Sequence, residues 1–140
     1  MRMFNTLGLL CMAVCSVMTR QALAQSASTA AHQAQVAELM TKALPDYPGK
    51  EGKMIVVTYP PGAVDPVHRH DANAFVYVLE GSIVMALNGG KEVTLGPGQT
   101  FYEGPNDVHT MGRNASATRP AKFVVFLLKD QNKPVLTVVH

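Results

Sequence analysis

The chain has 140 residues, with 12 Lys+Arg against 10 Asp+Glu, a formal net charge of +2 and no basic block, which excludes a nucleic-acid backbone as its partner. Its two cysteines, Cys11 and Cys15, both sit in an N-terminal leader-like stretch, so neither a thiolate metal site nor a catalytic cysteine is expected in the body of the chain. One domain with a real core is expected at this length.

Residues 1–24, MRMFNTLGLLCMAVCSVMTRQALA, have a basic start at Arg2, an apolar stretch from Leu7 to Met18 and Ala22-Leu23-Ala24 at the end. That is the pattern of a cleavable secretory signal, cut after Ala24, and the apolar run is short of the ~20 residues that span a bilayer. The expected product is periplasmic or secreted, with no membrane attachment after cleavage. Loss of Arg2 and Arg20 brings the charge of the remainder to about zero. Residues 25–48 read as a lead-in and a short helix: Ala34, Val36, Ala37, Leu39, Met40, Ala43 and Leu44 recur at roughly helical spacing, Ser28 or Thr29 is placed to cap the start, and Pro45 ends it.

From residue 49 to 140 the pattern changes to short strands. Met54–Tyr59, Ala74–Leu79, Ser82–Leu87, Lys91–Leu95, Gln99–Glu103, Val108–Gly112, Ala121–Leu128 and Val135–Val139 are expected strands, punctuated by Pro60-Pro61-Gly62, Asn88-Gly89-Gly90 and Gly96-Pro97-Gly98. Short strands with Gly/Pro turns at regular spacing make an all-β sandwich or barrel. Phe123–Leu128 is apolar on both faces, so something covers its outer side, either the helix or a second copy of the chain in a homodimer.

His68 and His70 are one residue apart in a strand-like segment, and alternate residues of a strand share a face. Two imidazoles on one face are half of a metal site. His109, some forty residues on and after a hairpin that can fold it back, is the expected third ligand.

Pro61-Gly62, His68-x-His70 and Leu79-Glu80-Gly81 resemble the first motif of the cupins, and Gly98, Pro105, His109 and Asn114 resemble the second. The resemblance covers roughly residues 50 to 130. It implies a small antiparallel β-barrel, a double-stranded β-helix of jelly-roll type, holding a metal inside. The family usually places a metal-binding Glu three residues after the second His of the pair; here that position is Ala74. A fourth protein ligand is therefore missing or comes from elsewhere.

Three neutral histidines suffice to hold Fe, Zn, Mn, Ni or Cu and leave a position open for water or substrate. Glu103 is the acid of most interest: it can orient a histidine, accept a proton as a catalytic group, replace the missing ligand, or lie solvated in a loop. Met111 and Arg113 share strand parity with His109 and, with Phe101, are candidates for contact with a small-molecule substrate, Arg113 through a carboxylate. The resemblance implies a metal-dependent enzyme on a small oxygen-rich molecule, of dioxygenase or isomerase/lyase type. The alternative is a non-catalytic module that binds a small molecule or metal in the same barrel.

Overall fold

Residues 50–59 and 121–130 show the clearest alternation of buried and less buried positions, with Ile55, Val57 and Tyr59 on one segment and Phe123, Val125 and Leu127 on the other turned inward. Branched and aromatic side chains at every second residue stand on one face of a pleated strand, so burying that face fixes the register. A computed structural model describes residues 33–140. It contains ten strands in two five-stranded antiparallel sheets and, among the described residues, no helix.

The strands are β1 (Gln35–Ala43), β2 (Lys50–Tyr59), β3 (His68–Arg69), β4 (Ala72–Glu80), β5 (Ile83–Leu87), β6 (Val93–Leu95), β7 (Thr100–Glu103), β8 (His109–Asn114), β9 (Ala121–Asp130) and β10 (Thr137–Val138). One sheet has the order β1-β2-β9-β4-β7 and the other β10-β3-β8-β5-β6. The core lies between them. Val76 and Val78 of β4 join the inward residues of β2 and β9, and Ile83 and Met85 of β5 meet them from the second sheet. All eight strands expected from the sequence are present, with shifted ends.

The helix expected over Ala34–Leu44 is instead the edge strand β1, paired with β2 from Gln35↔Thr58 to Ala43↔Glu51. A bulge between Glu38 and Met40 offsets its alternation, and the resulting apolar spacing imitates a helical period. An isolated helix of this length is marginal, whereas the open edge of β2 supplies a ladder of unpaired backbone groups. The expected cap at Ser28 or Thr29, like the leader at 1–24, lies outside the described residues.

Two residues of the expected motifs hold the loops at one end. Asn114 donates its side-chain amide to the carbonyls of Tyr59, Pro60 and Arg119 and accepts from the Ser116 backbone N–H, so one buried side chain ties two loops. Gly81 has φ of 69°, and a Cβ there would lie 2.6 Å from the Pro120 carbonyl oxygen. No side chain fits at that turn.

Candidate metal centre

The second sheet brings the three histidines together by register. His68 of β3 is paired directly with His109 of β8, and His70 follows two residues later on the same face. The Nε2 of His68 lies 3.3 Å from the Nε2 of His70 and 3.2 Å from the Nδ1 of His109. Glu103, on β7 of the other sheet, places Oε2 3.5 Å from both His70 Nε2 and His109 Nδ1. These four side chains offer ligand atoms that all lie within 4.8 Å of one another.

Their hydrogen bonds suit these side chains to holding a cation. The Nδ1–H of His68 donates to the Pro66 carbonyl at 2.8 Å and that of His70 to the Val135 carbonyl at 2.7 Å. Each bond sets the tautomer that leaves Nε2 as a lone pair. Two lone pairs facing each other at 3.3 Å repel unless a cation lies between them. Their spacing matches the ~3.0–3.4 Å edge shared by two ligands of an ion at ~2.0–2.1 Å. His109 has its Nε2 buried without any hydrogen-bond partner.

Burial sets the charges. His109 is 2 % exposed, and desolvation followed by its two histidine neighbours lowers its pKa to about 4. Desolvation also lowers that of His70. Both imidazoles are thus kept neutral and ready to ligate. Glu103 is 3 % exposed, and burial, then Asp107 and Asp65, raise its pKa to about 7. A ligating carboxylate must give up its proton. Below the raised pKa Glu103 carries that proton, so loading a divalent ion should release more protons at pH 6 than at pH 8. Calorimetry in buffers of different ionisation enthalpy reads the difference; equal release at both pH values would show that Glu103 gives up no proton to the ion.

The residues matched by a family model described as "Cupin domain" are 55–127, more than half of the chain. The chain belongs to the cupin family. No curated protein matches it. Among solved structures, an uncharacterized conserved protein with a double-stranded β-helix domain from Klebsiella pneumoniae aligns with a TM-score of 0.61 at 16% identity, covering 77% of this chain and 85% of that one. Oxalate oxidase in complex with the substrate analogue glycolate aligns with a TM-score of 0.59 at 24% identity, over 77% of this chain and 56% of that one. The DMSP lyase DddQ from Ruegeria pomeroyi aligns with a TM-score of 0.55 at 23% identity, over 63% of this chain and 43% of that one. This cupin spans less than half the length of that lyase and little more than half that of the oxidase, and the likeness is one of fold.

The departure of this cupin from the family pattern has a structural counterpart. Ala74 on β4 is the Cα partner of Glu103 on β7, and both side chains are buried. Directly opposite residues of an antiparallel pair share a face with Cβ atoms ~4.5–5.5 Å apart. A carboxylate absent from one strand is therefore supplied from its neighbour, toward the same point.

The site opens on a chamber of about 230 Å³ between the sheets, walled by Ile55, Val57, Met85, Phe123 and Val125. Tyr59 and Asp65 complete its polar end, the Tyr59 hydroxyl donating to Asp65 Oδ2. Burial and then Asp65 hold the phenol far above its usual pKa, and burial raises that of Asp65. A methyl group at Gly112 would sit 2.9 Å from His109 Cε1 and 3.2 Å from both Asp65 Oδ2 and Tyr59 Oη, so a bare glycine lets this pair pack against the histidine.

The three substrate candidates do not line the chamber. The register between β5 and β8 shifts after Ala86↔Met111 to Leu87↔His109, leaving Thr110 as an extra residue. That bulge reverses the parity: Gly112 and Asn114 are buried, while Met111 and Arg113 face away. Arg113 pairs at the surface with Glu92 at 3.3 Å. Phe101 does turn inward, but it packs against the hydrophobic core. Arg69, between the two histidines, is exposed and pairs with Asp71. Tyr59, Asp65 and the Val135 carbonyl escaped the sequence reading; only the closeness of Asp65 to His68 in the chain hinted at any of them.

Proposed function

We propose that this chain is a secreted, metal-dependent cupin enzyme acting on a small oxygen-bearing molecule, with one divalent transition metal held by His68, His70, His109 and Glu103. The observation that carries this reading is the four-residue cluster with neutral imidazole lone pairs converging on one point. Bound there, the metal supplies Lewis acidity to a coordinated oxygen. The chain supplies the rest. Glu103 offsets one charge, the carbonyls of Pro66 and Val135 orient two ligands, and Tyr59 with Asp65 forms a hydroxyl–carboxylate pair that holds a proton at the chamber wall. The walls of the rest of the chamber are apolar.

A carboxylate and a hydroxyl inside the chamber favour turnover over simple binding, since a storage module needs no proton acceptor beside the metal. The named neighbours include an oxidase and a lyase, which sets dioxygenase against lyase or isomerase chemistry as the alternatives for this chain. Secretion rests on the signal-like residues 1–24. We also propose a second copy on the outer face of the first sheet, where Phe75, Tyr77 and Tyr102 are each about half exposed and Phe75 packs between Tyr102 and Phe126 with ring centroids 5.2 and 6.2 Å away.

The test is elemental analysis of tag-free residues 25–140, purified without chelator, with sedimentation on the same sample. About one equivalent of a transition metal is expected. Iron or copper directs the assay to oxygen uptake; zinc, manganese or nickel directs it to isomerase and lyase screens. A protein that carries no metal and takes none up on reconstitution defeats the enzyme reading, and a monomer at micromolar concentration defeats the dimer.

A further inference from the structure

The charge of the chamber narrows the substrate class, an inference that rests on the metal reading above. None of the described residues lining the chamber is a lysine or an arginine, whereas two, Asp65 and Glu103, are carboxylic acids. The nearby cations are engaged outside it: Arg69 with Asp71, Arg113 with Glu92, Lys53 with Glu38 and Lys129 with Glu51. A divalent ion on three neutral imidazoles and Glu103 keeps one net positive charge, and Asp65 nearby offsets that too. An entering anion finds no second cation, and its charge is buried among apolar walls, which is costly without a partner.

Size narrows the class further. About 230 Å³ lies below the ~300–1,000 Å³ typical of drug-sized ligand sites and has room for roughly eight water-sized groups at ~30 Å³ each. The polar groups are concentrated at one end and the remainder is aliphatic or aromatic.

We propose that the chamber selects compact, uncharged molecules with one oxygen-bearing end and an apolar body, and rejects substrates carrying a second, anionic group. The oxygen end meets the metal and the Tyr59–Asp65 pair, and the body packs against Ile55, Val57, Phe123 and Val125. Di- and tricarboxylates and sugar phosphates are excluded by charge.

Two hydroxamic acids with the same metal-binding head and carbon chain test this: butyrohydroxamic acid, ending in a methyl group, and succinic monohydroxamic acid, ending in a carboxylate. Because the head is constant, the ratio of their affinities reports the chamber and not the metal. Calorimetric titration of metal-loaded residues 25–140 should show the methyl-ended probe binding at least tenfold tighter, and equal or reversed affinities overturn the proposal. Asp65→Asn should narrow the gap at least threefold. An unchanged gap would assign the selection to the bulk of the carboxylate and overturn the charge argument. Metal analysis of the same sample separates the two failures: a protein without metal defeats the metal reading and this inference with it, whereas a loaded protein without the preference defeats this inference alone.

Discussion

His68→Ala protein, dialysed beside the wild type against the same buffered free metal, should bind the ion at least about 100-fold more weakly and emerge essentially metal-free. His68 occupies the middle of the cluster: its Nε2 is within 3.3 Å of both other imidazoles, and its backbone pairs β3 with β8 and, beside Arg69, with β10. Losing a residue that merely orients a ligand costs about 10–100-fold in metal affinity, so losing the central ligand itself should cost no less than the upper end. Elemental analysis checks the content and far-ultraviolet circular dichroism checks the fold. The pairing of β3 runs through backbone groups that alanine keeps, so the fold should survive the change. Wild-type metal content in a folded variant would show that the ion, if any, sits elsewhere.

Glu103→Ala should weaken binding by at least about tenfold, and adding Ala74→Glu to that variant should restore affinity to within a few fold of the wild type. The reason is register. Residues 74 and 103 face each other across β4 and β7, both inward, so a carboxylate moved from one strand to the other stays on the same face and near the same point. Ala74→Glu alone should instead lower stability, because it puts a second carboxylate beside a buried one whose pKa is already raised to about 7. A double variant as weak as Glu103→Ala would mean that the two positions are not interchangeable and that Glu103 acts in some way other than ligation.

The two variants probe different kinds of information in the chain. His68, His70 and His109 were legible without coordinates, because strand parity needs only one-residue separation and the motif spacing brings the third histidine back. Ala74 was legible as a departure. The part played by Glu103 was left open among four roles, because choosing between them requires knowing that β7 pairs with β4 at that register, across a separation of 29 positions that includes two further strands. Met111 and Arg113 were misplaced for the opposite reason: the parity argument was sound for a regular strand, and one extra residue at Thr110 reversed it. A similar bulge near Leu39 made an edge strand look like a helix.

What the sequence by itself determined is the all-β class, the positions of eight of the ten strands and the three histidines, because these depend on side-chain period and turn chemistry within short windows. The tertiary structure alone decided that Glu103 joins them, that Tyr59 and Asp65 complete the polar end, and that Arg113 stays outside. Those facts depend on inter-strand register and on single-residue bulges. Both arise when a whole sheet buries one face at once, and they leave no local mark on the residues they move.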